Sequence, residues 1–217
     1  MAMEAVKTLP SSYERRATLD FAKNKAALIA VNVVGLLLMG LFIWLAVVFF
    51  GRVHREADVI WALWSVAGGA TGLGSRVIVV VVALVAMLGV GVLHELVHGF
   101  FFWIFTRERP VFGAKSLYFY AGAPEWYLPR SQHVVVGLMP FVIITVVGFI
   151  LALIVPATVA VWILLVVVAN ASGAAGDLMA AVWLLRQPPE TLVQDAGITL
   201  AIYQPGPGSG EAEQGEE

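Results

Sequence analysis

His94, Glu95 and His98 stand in the form H-E-x-x-H within a chain of 217 residues. Residues four apart on a helix share a face, so both imidazoles can reach one divalent cation at about 2.0–2.1 Å from each nitrogen. Glu95 is turned roughly 100° from His94 and roughly 60° from His98, which lets it reach water beside the cation without ligating it. This is the division of labour for metal-assisted hydrolysis. The imidazoles hold the ion, the ion lowers the pKa of water to about 7, and the carboxylate takes the proton. The plain counterpart is three partly solvated polar residues near a helix end. Their surroundings weigh against it: from Val77 to Phe105 they are the only interruptions in an apolar run. Ionisable groups within a bilayer cost on the order of 2.5–3.5 kcal/mol each and default to functional readings.

A hydrolytic zinc site takes three protein ligands and leaves a fourth position for water. Cysteine is absent, so the third ligand must be His, Asp or Glu. Asp177 is the one further carboxylate inside an apolar segment, following Asn170-Ala171-Ser172-Gly173-Ala174-Ala175-Gly176. The small residues before it let another helix approach closely. A helix-end acid bonded to Ser, Thr or backbone is the alternative reading of Asp177. Glu125 and His133 are weaker substitutes, since both belong to a loop or its edge. A later-helix Glu is a further possibility, but Glu108, Glu125 and Glu190 offer no convincing helical position beside the motif. Asn170, seven residues before Asp177, shares nearly the same face and could donate to a developing oxyanion. A packing amide is equally consistent with its position.

The elements that must carry these residues are membrane spans. The chain is 60% hydrophobic and 13% charged, against about 45–50% and about 25% for a soluble domain. Its net charge of −2 supplies no basic field for nucleic acid, and together these values exclude an ordinary soluble domain and a disordered chain. Residues 26–50 hold no charged side chain, nor do residues 134–176, a stretch twice what one crossing needs. Val155-Pro156 is the natural turn in the longer stretch, because proline suits a helix start. Four spans are therefore expected, at about 26–50, 77–105, 134–154 and 158–185. Ten Lys and Arg then fall on the side of the N-terminus and three on the other, which places both termini in the cytoplasm. His98 and Asp177 come to a similar depth, in the cytoplasmic leaflet.

The expected architecture is an all-α polytopic membrane protein with a small cytoplasmic β-hairpin. Its segments are an interfacial 1–25, the spans 26–185, a cytoplasmic 186–203 and a disordered acidic tail 204–217. Ser11-Ser12-Tyr13-Glu14 has the form of a capping box opening an interfacial helix. Trp61 and Trp64 suit a membrane surface. Residues 111–130 read as two extended runs around Ala121-Gly122-Ala123-Pro124. Their alternatives are a substrate-binding edge or an aromatic membrane anchor, and Ile198–Tyr203 is a possible additional strand.

His94–His98 in a span, Tyr118-Phe119, the Arg130…Pro140 spacing and Gly176-Asp177 together resemble the membrane family named putative zincin peptidases. The resemblance covers most of 75–205, and that family is similar to site-2 intramembrane metalloproteases. It implies His94, His98 and Asp177 as zinc ligands and Glu95 as base. The site-2 pattern places Pro between its Asn and an Asp-Gly pair; here no Pro separates Asn170 from Asp177, and Leu178 follows.

The expected activity is a zinc-dependent peptidase acting on a membrane-embedded or membrane-adjacent protein, in the plasma membrane of a prokaryote. A non-catalytic metal-binding scaffold is the alternative. A metal transporter fits less well, because the ionisable groups cluster at one depth.

Overall fold

The computed structural model describes residues 4–20, 24–58, 62, 72–115, 118–197 and 199–206. Trp61, Trp64 and residues 207–217 lie outside them. The element order is β1 (Tyr13–Leu19), α1 (Lys25–Val53), α2 (Leu73–Thr106), β2 (Val111–Lys115), β3 (Tyr118–Pro129), α3 (Arg130–Ile154), α4 (Ala157–Gly173), α5 (Ala175–Leu185), β4 (Leu192–Asp195) and β5 (Leu200–Pro205).

Among the described residues, three helices, α1, α2 and α3, are long and apolar enough to cross a membrane; α4 and α5, bent by 45° at a short break, make a fourth if they form one span. Each helix has a legible start or stop. Asn24 caps α1, its Oδ1 accepting from the N–H groups of Ala26 and Ala27 at 3.0 and 3.1 Å. Thr106 closes α2 by donating to the Phe102 carbonyl, and Arg107 turns away with φ of 58°. Pro156 precedes α4, as expected of a residue without an N–H. The expected span 158–185 is not one continuous helix. It breaks at Ala174 without a proline, where Ser172-Gly173 lowers helix propensity. Leu36, Leu37, Ile78, Leu84 and Val85 are exposed apolar side chains, a surface suited to hydrocarbon rather than water.

The described chain divides into two compact units, one built from 1–28, 95–139 and 176–217, the other from 29–94 and 140–175. The first holds a five-stranded antiparallel sheet in the order β1-β5-β4-β3-β2. This corrects the all-α expectation: the hairpin is one edge of a sheet assembled from three separate parts of the chain. The interfacial helix expected from Ser11–Glu14 is instead β1. Tyr13 N–H bonds back to Pro10 in a turn, and Ala17 and Leu19 then pack with Val193, Leu200 and Ile202. Pairing with β5 outweighs the local capping signature, a tertiary override of a short-range preference. Ala121-Gly122-Ala123-Pro124 is also not a turn; it lies inside β3, with an irregularity between Ala123 and Tyr127 in the pairing to β4. Gln204 and Pro205, expected at the start of the tail, finish β5.

Two apolar clusters hold this unit. Val134, Ala181 and Leu184 pack against strands β4 and β5, and Phe102 packs with Ala123, Leu128 and Val136. Fully burying a Leu or Phe contributes about 1.5–3 kcal/mol. Arg130 ties the start of α3 to the end of α5, donating to the Leu185 carbonyl at 3.2 Å and to that of Gln187. In the other unit, Phe42, Val167, Val168 and Ala171 form a cluster. Gly35 there lets α1 approach α4 closely enough for Ser172 Oγ to donate to its carbonyl at 3.1 Å.

Candidate metal centre

His94, Glu95 and His98 sit on α2, and their ligand atoms all lie within 4.8 Å of one another. Both imidazoles are buried, and each is oriented through Nδ1. His98 Nδ1 donates to the Val136 carbonyl at 2.9 Å. His94 Nδ1 lies 2.9 Å from Asn170 Oδ1, and the chemistry of the next contact fixes the direction of that bond. Asn170 Nδ2 is 3.4 Å from the Pro140 carbonyl, an oxygen that only accepts. The amide nitrogen must therefore face Pro140, the amide oxygen faces His94, and His94 Nδ1 must donate. In both histidines the lone pair is thereby placed on Nε2.

Asp177 comes to His98, with Oδ2 3.6 Å from Nε2. It occupies the first turn of α5, where backbone N–H groups favour negative charge. The break at Ala174 creates that helix start. Glu95 is held from another direction: the Ala121 N–H of β3 donates to its Oε2 at 2.7 Å.

The structure places Asn170 as a partner of His94, with both ends of its amide engaged and only 1% of its surface exposed. This is the packing-amide alternative in its geometry, with one N–H of the amide turned to Pro140. The substitutes are engaged or exposed elsewhere. His133 pairs with Asp195 at 2.9 Å, and Asp195 also accepts from Gly197 N–H at 2.6 Å. Glu108 accepts from Lys7 at 2.5 Å and from Trp126 at 3.1 Å, bonds that hold its carboxyl below the usual range. Glu125 and Glu190 are exposed. Sequence reasoning missed Ala121 and Val136, which act through backbone atoms, and took Pro140 only as part of the Arg130…Pro140 spacing. The proline inside an apolar helix was the one visible signal among them.

Residues 87–192 match the family model described as putative zincin peptidase. The match bears out the family resemblance read from the motif. No curated protein and no solved structure matches the chain. The matched segment begins within α2, ends at the first residue of β4 and contains all five of His94, Glu95, His98, Asn170 and Asp177.

The family name implies zinc, and the donor set fits that ion. A carbonyl acceptor on Nδ1 that presents Nε2 is the usual outer support of a zinc-ligating histidine. Two ligand atoms on a tetrahedral zinc at about 2.1 Å stand about 3.4 Å apart. The 3.6 Å between Asp177 and His98 is close to that spacing and longer than a good direct hydrogen bond.

Proposed function

We propose that the chain is a zinc-dependent peptidase that hydrolyses a peptide bond within or beside the membrane, in the cytoplasmic leaflet. The observation that carries this reading is the separation of His98 Nε2 and Asp177 Oδ2, set by an imidazole already anchored at Nδ1. His94, His98 and Asp177 would hold the metal, the ligand set implied by the resemblance to site-2 intramembrane metalloproteases. When bound, zinc supplies Lewis-acid polarisation of the scissile carbonyl and acidifies water. Glu95 is the general base. Ala121 N–H steadies its Oε2, and the carboxylate takes the proton as the water oxygen bonds to the carbonyl carbon. The same proton passes to the amide nitrogen as the C–N bond breaks. Asn170 and the Val136 carbonyl keep the two imidazoles in the required tautomer.

Strand β2 is the proposed docking edge for an extended substrate. Ala121 pairs with Phe112 but sends its N–H to Glu95 rather than across the ladder. By antiparallel alternation, Phe112 and Ala114 then turn their N–H and C=O groups outward, where a peptide can add as another strand.

The sheet also supports four spans with both termini on one side. β1, β5, β4 and β3 pair directly, so the segments before α1, between α2 and α3, and after α5 share one side. An even number of crossings must separate them. The helices α1 and α2 supply two, and α3 needs α4 with α5 as its return.

The test compares wild type with Glu95→Gln in cells, by sequencing the new N-termini of membrane proteins and measuring zinc in the purified proteins. We expect cleavage products that require Glu95, with zinc retained in the variant. Equal product patterns in the two strains, at equal zinc, would remove Glu95 from the mechanism.

A further inference from the structure

We propose that Pro140 is a positioning residue for both motif histidines, acting through the N–H it lacks and the carbonyl it presents; the inference rests on the metal reading above. In α3 the N–H of residue 140 would ordinarily bond the carbonyl of residue 136. Proline has no N–H, so the Val136 carbonyl has no helical donor at that position. A buried carbonyl deprived of its donor requires another. Val136 O takes the Nδ1–H of His98 at 2.9 Å. The vacancy made by Pro140 is therefore filled by a histidine of the motif.

The Pro140 carbonyl works on the second histidine. It accepts from Asn170 Nδ2, which fixes the amide so that Oδ1 receives His94 Nδ1–H. One residue of α3 thus dictates the tautomer of His98 through an absent donor and that of His94 through a relayed acceptor. Helix α3 contributes no ligand, yet it orients two. Pro140 is among the fully buried side chains, so its ring is held firmly in place. Gly137, one turn before it, leaves the α3 surface open beside the Asp177 backbone carbonyl, 3.9 Å from where a Cβ would stand.

The experiment separates the missing N–H from the ring. Full-length protein is purified in three forms: wild type, Pro140→Ala, and a form with L-lactic acid in place of Pro140. Alanine restores an N–H at this position, whereas the lactic-acid ester has the same methyl group and no N–H. Zinc affinity is measured by chelator competition, and Co²⁺ absorption reports the ligand geometry. In Pro140→Ala the new N–H competes for the Val136 carbonyl, so zinc affinity should fall about 10–100-fold, the usual effect of losing an outer-shell partner. Its Co²⁺ spectrum should change as well. The ester form should bind zinc and Co²⁺ as wild type does. The inference is overturned if Pro140→Ala matches wild type in both measurements. It is equally overturned if alanine and ester forms lose affinity alike, which would assign the effect to the ring. Failure of the wild type itself to bind zinc would instead bring down the metal reading, and this inference with it.

Discussion

Asn170 and Asp177 are seven residues apart in sequence, and the structure gives them different work. Asp177 approaches His98 from a helix start, whereas Asn170 holds His94 in one tautomer. Asn170→Leu keeps most of the side-chain volume and removes the bond to His94. We expect zinc affinity to fall about 10–100-fold, measured by chelator competition, as for other outer-shell partners. If turnover collapses while zinc affinity stays unchanged, Asn170 is the oxyanion donor that its sequence position first suggested. Asp177→Ala should reduce zinc content more severely than Asn170→Leu if, as proposed, Asp177 is a ligand and Asn170 a support. At this scale the sequence was legible where chemistry resides in side chains: imidazoles and carboxylates in an apolar run announce themselves. The Val136 carbonyl and Ala121 N–H were not legible, because every non-proline residue carries such groups and only the fold selects among them.

Among the elements, α3 and the sheet organise the site without supplying a ligand. Arg130 fastens the start of α3 to the last carbonyls of α5, and α5 carries Asp177. Charged hydrogen bonds of this kind are worth about 1.5–3 kcal/mol, so Arg130→Ala should lower the thermal midpoint and weaken zinc binding together. Both bonds leave one nitrogen, Nη1, so the three donors of an ammonium can replace them, and Arg130→Lys should recover most of both losses. The outward groups of β2 make a separate prediction. Ala114→Pro removes an edge donor without taking a bond from β3, so cleavage of an extended substrate should fall while zinc affinity holds. Unchanged cleavage would assign β2 to membrane anchoring instead. The helices were readable because an apolar run has one length to satisfy, that of the bilayer. The sheet was readable only in part: residues 111–130 read as extended and Ile198–Tyr203 as a possible strand, whereas β1 and β4 are short and their partners are remote in sequence. Ser11–Glu14 shows the consequence: its local pattern favours a helix, and the open edge of β5, nearly two hundred residues away, makes it a strand.

For the whole molecule, the sheet turns a local pairing pattern into a constraint on topology. β1 and β5 bring the two ends of the chain into one layer, and β3 joins the same layer through β4. Segments that hydrogen-bond to one another cannot lie on opposite sides of a bilayer. The Lys and Arg distribution is the basis on which the cytoplasmic side is proposed. The absence of natural cysteine makes this directly measurable. Single cysteines at Ser11, Glu125 and Glu56, all exposed positions, report the segments before α1, within β3 and between α1 and α2. With a membrane-impermeant maleimide applied to intact cells, Glu56→Cys should be labelled, while Ser11→Cys and Glu125→Cys should react only after lysis. The reverse pattern would preserve the sheet and the even number of crossings but place the metal centre on the outer side. Opposite accessibility of Ser11→Cys and Glu125→Cys in intact cells would be more damaging. It would separate β1 from β3 across the membrane and remove the pairing on which the four-span reading stands.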